Sequence, residues 1–163
     1  MRVLIINTSE RDGGAAVAAG RLMEALQNSG VEVKMAVRDK STHNPDVVTV
    51  GNPTLMRWRF LWERIVVWVA NRFSKRHLFS VDVADAGVDI TSLPEFEQAD
   101  VVHLHWVNQG MLSLRDIRKI LDAGKPVVWT LHDLWPCTGI CHYPGQCTRF
   151  KEECHHCPYL RGG

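Results

Sequence analysis

The pattern of apolar and polar positions predicts strands and helices in alternation over the first part of the chain. A near-continuous apolar run at 2–7 is typical of a strand buried on both faces of a parallel sheet. After a turn with two glycines, residues 15–30 place apolar side chains at helical spacing and end at Gly30. The alternating, β-branched stretch 31–37 predicts a second strand. This order is one βαβ unit, and we expect its crossover to be right-handed.

The same order returns in the second half of the chain. Residues 99–107 and 125–134 predict two buried strands, and residues 112–124 predict the helix between them. Ser113 stands at the N-cap of that helix and Asp116 at the capping-box position. Two such units predict an α/β fold, a Rossmann-like open parallel sheet with helices on both faces.

The periodicity stops after Leu134, and an irregular cysteine-rich segment follows. We expect residues 1–136 to form a Rossmann-like domain and residues 137–160 to form a candidate zinc-binding segment of the same domain. A doubly wound sheet would normally continue with further strands and helices. The sequence therefore predicts that the domain is incomplete at its C-terminal end.

Residues 53–77 predict a long helix whose apolar positions are interleaved with arginine and lysine. Packing in the core is the commoner interpretation of an apolar stripe at this spacing. The alternative is a basic amphipathic helix, over 54–76, that contacts a membrane surface or a partner. Charged and polar residues interrupt its most apolar window, 60–73, so it does not read as a membrane span. Residues 79–90 predict a short strand or an ordered loop.

Composition and charge narrow the function classes. The chain has 163 residues, of which 45% are hydrophobic and 23% are charged, as expected of one folded domain. A formal net charge of +1 gives no electrostatic argument for nucleic-acid binding. The first apolar run is too short for a signal peptide. We therefore expect a cytoplasmic protein with reduced thiols.

Two glycines, Gly13 and Gly14, follow the first strand and begin the first helix. Backbone N–H groups and the helix dipole favour phosphate or another anion at such a position. The spacing is neither that of a dinucleotide-binding loop nor that of a P-loop. The two interpretations left open are an anion-binding turn and a tight turn with no ligand.

Histidines occur at the ends of both predicted central strands. His105 and His132 are candidates for substrate contact, because ligands bind outside the carboxyl ends of parallel strands. Asp133 is a candidate to orient an imidazole or to bind a hydroxyl. His103 lies deeper in its strand, and we expect it to be a half-buried core histidine.

All five cysteines lie between residues 137 and 157, at spacings C-x3-C-x5-C-x6-C-x2-C. We predict a structural zinc with a closed tetrahedral shell. Cys137, His142, His155 and His156 are further possible ligands, and reduced cysteines or surface disulfides remain the alternative. The four predicted ligands are Cys141, Cys147, Cys154 and Cys157.

Three stretches together resemble the N-terminal half of family-4, GT-B-type glycosyltransferases, in particular a bacterial subset of polysaccharide biosynthesis. They read "VLIINTSERDGGAAVAAGRLMEAL", "PEFEQADVVHLHWVNQGMLSL" and "KPVVWTLHDLWPCTGICHYPGQC…CHHCPYL". The resemblance covers residues 2–160 apart from the variable region 40–80. It implies a retaining transferase that moves a sugar from a nucleotide-sugar donor to a glycan or lipid-linked acceptor.

The resemblance also implies roles for single residues. Gly13 and Gly14 would approach the donor phosphates or the reacting sugar across a cleft between two Rossmann-like domains. His132 would contact the transferred sugar as the catalytic histidine, with His105 and Asp133 at the same cleft. No catalytic metal is expected in this family, so the predicted zinc would be structural only.

The domain that holds the nucleotide in that family has no counterpart in these 163 residues. We therefore expect an acceptor-side domain that is inactive alone, cytoplasmic or peripheral on the inner face of the membrane. A non-catalytic, zinc-stapled α/β interaction module is the alternative. Sequence beyond Gly163, by ~150–250 residues, would distinguish the two hypotheses. A nucleotide-binding regulatory domain is disfavoured because phosphate-binding motifs are absent.

Overall fold

The computed structural model describes residues 1–154 and 157–160, and within them the chain folds around one parallel sheet. The five described strands are arranged in the order β3-β2-β1-β4-β5, and every pair is parallel. This confirms the predicted open α/β fold. The strands are β1 (Arg2–Ser9), β2 (Glu32–Asp39), β3 (Val47–Thr49), β4 (Val101–Leu104) and β5 (Val127–Trp129); the helices are α1 (Gly14–Asn28), α2 (Pro53–Ala70), α3 (Pro94–Gln98) and α4 (Leu114–Asp122).

Strand β1 lies at the centre of the sheet and contributes to a hydrophobic core on each face. Leu4 packs on one face in a cluster that includes Ile117 and Ile120 of α4. Ile5 packs on the other face in a cluster that includes Met23 of α1. Burial on both faces explains why the sequence of β1 is an almost unbroken apolar run.

Two short elements, and the solvent exposure of the last strand, differ from what the sequence predicts. Strand β3 and helix α3 were not predicted, because three and five residues are too short for a clear periodicity. The last strand was predicted as buried, but Val128 in β5 is 48% exposed. The reason is that β5 pairs only with β4 in the described part of the chain, so it is an edge strand.

The predicted capping box of α4 is confirmed. The Ser113 side chain accepts a hydrogen bond from the Asp116 backbone N–H at 3.1 Å. Oδ2 of Asp116 accepts one from the Ser113 backbone N–H at 3.0 Å. Two N–H groups that the helix leaves without partners are thereby satisfied, which fixes the start of α4.

Helix α2 ends at Ala70, whereas the sequence predicts a helix that continues to residue 77. The apolar stripe of α2 faces solvent and not the core. Its buried residues include Glu63 and Arg64, whereas Trp58 is 65% exposed. Packing of the apolar stripe in the core was therefore the wrong interpretation. None of the helices in the described ranges is long and apolar enough to cross a membrane.

Two short 3-10 turns, Trp135–Cys137 and Arg149–Lys151, occur in the segment that was expected to be irregular throughout. The segment folds back along the molecule, and Cys141 forms an antiparallel bridge with Val81. Residues 79–90 are otherwise an ordered loop, one of the two predicted possibilities.

Candidate functional site

A hollow of about 720 Å³ lies at the carboxyl ends of β1 and β5, beside the segment that leaves β4. Open α/β sheets bind their ligands at this edge. The first strand contributes the glycine turn, and the last strand contributes His132 and Asp133. The lining residues are Asp12, Gly13, Gly14, Ala15, Phe79, Ser80, Trp106, Gln109, His132, Asp133, His142, Tyr143 and Tyr159.

The glycine turn presents bare backbone to the hollow. Gly13 is the N-cap residue of α1 with φ of 90°, a left-handed conformation that L side chains rarely adopt. A Cβ atom built on Gly13 or Gly14 would meet no atom within 4 Å, so the space beside both residues is open. The first N–H groups of a helix lack partners within the helix. The turn can therefore donate backbone hydrogen bonds to a ligand in the hollow.

Three histidines are stacked from the sheet towards the hollow. The ring centres of His103 and His105 are 4.6 Å apart, and those of His105 and His132 are 5.1 Å apart. Nδ1 of His105 lies 2.9 Å from Nε2 of His132. Nε2 of His103 lies 2.8 Å from Oγ1 of Thr130, so His103 is the half-buried, satisfied histidine that was expected.

Burial keeps the two inner histidines neutral. It lowers the pKa of His105 to about 4, and the neighbouring His103 and His132 add to the effect. The pKa of His103 is lowered by burial and then by His132. His105 is 4% exposed and does not line the hollow, so it reaches the site only through its contact with His132.

The contact of His105 indicates which nitrogen of His132 carries a proton. Nε2 of His105 is buried and has no hydrogen-bond partner among the described residues. A buried lone pair without a partner is less unusual than a buried N–H without one. We therefore infer that His105 donates from Nδ1 to Nε2 of His132. His132 then carries its own proton on Nδ1.

Asp133 is held by three donors. Oδ2 accepts from Nδ1 of His142 at 2.7 Å and from the Trp106 indole at 2.9 Å. Oδ1 accepts from the Trp135 backbone N–H at 2.9 Å. Burial alone would raise the pKa of Asp133, but these hydrogen bonds outweigh it and the pKa is lowered. In the structure the imidazole that Asp133 contacts is that of His142.

His142 and Trp106 are site residues that the sequence analysis did not identify. His142 was considered only as a spare metal ligand. Its backbone N–H donates to the Ser80 carbonyl at 3.1 Å, and its carbonyl accepts from the Leu134 N–H at 3.0 Å. These bonds bring the cysteine-rich segment over the strand ends, a long-range fold that local spacing does not encode. Trp106 had a simpler signal, since it directly follows His105 at the end of β4.

A buried charge cluster supports the wall of the hollow from behind. Oδ2 of Asp82 accepts from the Gln109 backbone N–H at 2.8 Å and lies 3.2 Å from Nη2 of Arg64. Glu63 is fully buried beside them, and burial followed by repulsion from Asp82 raises its pKa to about 9. The raised pKa favours the neutral carboxyl of Glu63 at pH 7, and Nη2 of Arg64 lies closer to Asp82, at 3.2 Å, than to Glu63, at 3.7 Å.

The four cysteines predicted as zinc ligands line one hollow of about 380 Å³, separate from the strand ends. Cys137 is exposed and does not line it, and all five thiols are free. In residues 1–154 and 157–160, no group of three or more His, Cys, Asp or Glu side chains is arranged to hold a metal. His155 and His156 lie outside the described residues. The predicted zinc thus stays a prediction.

Comparison with known proteins places the chain among sugar transferases. The family described as Glycosyltransferase Family 4 matches residues 12–153. A protein of Escherichia coli strain K12, named as a colanic acid biosynthesis glycosyl transferase, WcaC, is 33% identical over 66 residues. That match covers 37% of this chain and 16% of the relative, so the chain corresponds to a small part of that protein. No solved structure gives a significant match.

Proposed function

Because the chain belongs to glycosyltransferase family 4, we propose that its strand-end hollow is the acceptor-side half of a sugar-transfer cleft. The observation that carries this proposal is the convergence of Gly13, Gly14 and His132 on one hollow. The glycines and His132 come from distant parts of the sequence. Their convergence is what a substrate site at this edge of the sheet requires.

In the proposed reaction, the anionic donor lies against the glycine turn. The free N–H groups at the start of α1 and the positive end of the helix dipole would stabilise charge on the donor phosphates as the glycosidic bond breaks. No acidic side chain occupies the first turn of α1 to compete for those N–H groups. The nucleotide itself would be held by a second domain facing this hollow.

His132 would donate a hydrogen bond from Nδ1 to a hydroxyl of the transferred sugar. The contact with His105 fixes the ring of His132, so its Nδ1–H is an oriented donor. His142 is complementary: its Nδ1–H donates to Asp133, so Nε2 keeps a lone pair that can accept from a hydroxyl. Donor and acceptor on neighbouring imidazoles suit a polyhydroxylated substrate.

The acceptor side is proposed to take a glycan or a lipid-linked sugar, with retention of configuration at the anomeric carbon. The aromatic side chains of Trp106, Tyr143 and Phe79 line the hollow, and such surfaces pack well against the apolar faces of sugar rings. The name of the Escherichia coli relative, which refers to colanic acid biosynthesis, supports polysaccharide assembly as the setting.

The test is a transfer assay on the full-length enzyme with a panel of nucleotide sugars and glycan or lipid-linked acceptors. We expect one donor to be consumed with the acceptor, and product NMR to show the anomeric configuration of the donor. The interaction-module hypothesis would be supported by three results together. The gene would end at Gly163, the protein would consume no donor, and it would bind another protein.

A further inference from the structure

Helix α2 presents a continuous apolar face to solvent. Successive residues of a helix are about 100° apart, so the outward face can be read from the positions around Trp58. Every residue within about 80° of Trp58 on this helix is apolar except Thr54. The exposed members of this face are Leu55, Trp58, Leu61, Trp62, Ile65, Trp68 and Val69.

The charged residues within 53–77 that reach solvent are all cationic. Arg57 and Arg59 lie about 100° to either side of Trp58, so they flank the apolar stripe. Arg72, Lys75 and Arg76 follow the end of the helix and are exposed. Glu63 is the one acidic residue within 53–77, and it is fully buried. The nearby carboxylate of Asp85 accepts a hydrogen bond from the Trp62 indole at 3.0 Å.

This combination points to a lipid surface rather than a protein. A face with three tryptophans, flanked by more cations than the one exposed carboxylate beside it, has the composition of helices that lie in the headgroup region of anionic bilayers. The buried side of α2 already has partners within the domain, because Arg64 contacts Asp82 and the Leu78 and Val81 carbonyls. The helix is also too polar on that side to cross a bilayer.

We propose that α2 docks flat on an anionic lipid bilayer through this apolar face. Trp58, Trp62 and Ile65 would enter the boundary between headgroups and acyl chains. Arg57, Lys75 and Arg76 would contact lipid phosphates at its edge. Docking by this surface does not depend on the proposed transfer activity.

The docked helix would place the cleft beside the membrane. Trp68 packs edge-on against Phe73 at 4.9 Å, so the apolar face continues into the segment after α2. That segment leads to Phe79, which is 60% exposed and lines the strand-end hollow. The Arg64 guanidinium lies 5.4 Å from the centre of the Phe79 ring and ties α2 to this rim. On the proposed function, the acceptor would then be lipid-linked and reach the hollow along the bilayer surface.

The test is co-sedimentation of the 163-residue chain with sucrose-loaded vesicles. Vesicles of phosphatidylcholine alone are compared with vesicles that contain about 30% phosphatidylglycerol, at low and high salt. We expect binding to the anionic vesicles that weakens with salt. The double substitution Trp58→Ser with Ile65→Ser, and separately Lys75→Glu with Arg76→Glu, should each reduce the partition coefficient at least about tenfold.

A matched control is the double substitution Leu114→Ser with Leu121→Ser, which removes two exposed leucines from α4. It should bind vesicles like the wild type, and circular dichroism should show that all variants are folded.

Failure of the wild-type chain to bind either vesicle overturns the proposal, as does full binding by the Trp58→Ser, Ile65→Ser variant. A wild-type dimer in sedimentation velocity that this variant converts to monomer, without vesicle binding, would assign the face to self-association. Loss of transfer with vesicle binding intact would count against the cleft and not against the docking surface.

Discussion

Nδ1 of His105 lies 2.9 Å from Nε2 of His132, so a buried histidine fixes the orientation of an imidazole that faces the substrate hollow. His105 is neutral and nearly inaccessible, whereas His132 is half-buried. The two histidines therefore differ in role. His105 sets the direction of the second ring, and His132 is the one that lines the hollow and would contact the proposed ligand.

Replacement of His132 by alanine should reduce transfer much more than stability. The substitution removes one hydrogen bond from a half-buried side chain, at a cost of about 1 kcal/mol in the free energy of unfolding. Loss of an oriented donor to the reacting sugar should lower kcat by about 10²–10³-fold. Steady-state kinetics of the full-length enzyme and thermal melts measure the two effects. His43→Ala, at an exposed histidine far along the chain, is the control.

If transfer survived in His132→Ala while the melting temperature collapsed, His132 would be a core residue and not a catalytic one. His132→Gln would add a second check. Its amide can still contact His105, so it should recover stability more than activity.

Substitutions in the glycine turn should separate an effect on stability from an effect on donor binding. Gly14 has no positive φ and open space at its Cβ, so Gly14→Ala should change the free energy of unfolding by less than about 0.5 kcal/mol. It should nevertheless raise KM for the donor, because a methyl group would project into the approach to the backbone. Gly13→Ala should cost about 1 kcal/mol or more, since its φ is 90°.

Gly20→Ala is the matched control, because Gly20 lies inside α1 and a Cβ there also meets no atom within 4 Å. It should stabilise the chain slightly and leave KM unchanged. An unchanged KM in Gly14→Ala would favour the alternative of a tight turn with no ligand.

The sequence predicted the sheet well because local patterns determine it. The buried run of β1 and the capping signal of Ser113 and Asp116 each depend on neighbours in the chain. The orientation of α2 could not be predicted in the same way, since its apolar stripe is exposed whereas two of its charged residues, Glu63 and Arg64, are buried. The burial of Glu63 and Arg64 depends on Asp82, a tertiary partner that periodicity does not reveal.

In the candidate site, too, only the residues placed by local sequence patterns could be predicted. Glycines and histidines at strand ends could be predicted, because parallel strands end at one edge of the sheet. His142 could not, because its place in the hollow depends on the cysteine-rich segment crossing back to Ser80. The cysteine spacing of that segment indicates metal ligands, and it gives no sign that His142 contacts Asp133.

Stability should depend on pH through His105. Its folded pKa of about 4 lies below the value near 6.5 of an unfolded chain. Between these values the unfolded state binds more protons, so the free energy of unfolding falls as pH is lowered through this window. The slope is up to about 1.4 kcal/mol per pH unit. His103 acts in the same direction, and its folded pKa is also lowered.

Urea denaturation of the wild type and His105→Gln at several pH values between 4.5 and 7 measures this effect. The destabilisation caused by His105→Gln should shrink as pH falls. His43→Gln should leave the wild-type pH profile unchanged. A constant difference between wild type and His105→Gln would mean that folding does not lower the pKa of His105.

Glu63 should produce the opposite pH dependence. Its folded pKa of about 9 lies above the ordinary value of 4.5, so the folded state binds more protons between them. Stability therefore decreases as pH rises through that window. Glu63→Gln mimics the neutral carboxyl and should match the wild type near pH 5 but exceed it in stability near pH 8. Lower stability of Glu63→Gln at pH 8 would instead indicate an ionised Glu63 paired with Arg64.

The cysteine-rich segment is proposed to bind one zinc ion through Cys141, Cys147, Cys154 and Cys157, which line a common hollow. The purified, reduced chain should contain about one zinc per molecule by metal analysis, and a chelator should lower its melting temperature. Cys154→Ser should lose the metal. Cys137→Ser is the matched control and should retain it, because Cys137 does not line that hollow.

Zinc loss should also reduce transfer, although the proposed zinc would be structural. His142 follows Cys141 directly in the chain and lines the strand-end hollow, where it is bonded to Asp133. Release of the segment would therefore remove one wall of the cleft, and added zinc should restore both the melting temperature and the transfer rate. Absence of zinc together with five freely titrating thiols would end the metal proposal. The bonds from His142 to Ser80 and Asp133, together with the Val81–Cys141 bridge, would then hold the segment without a metal.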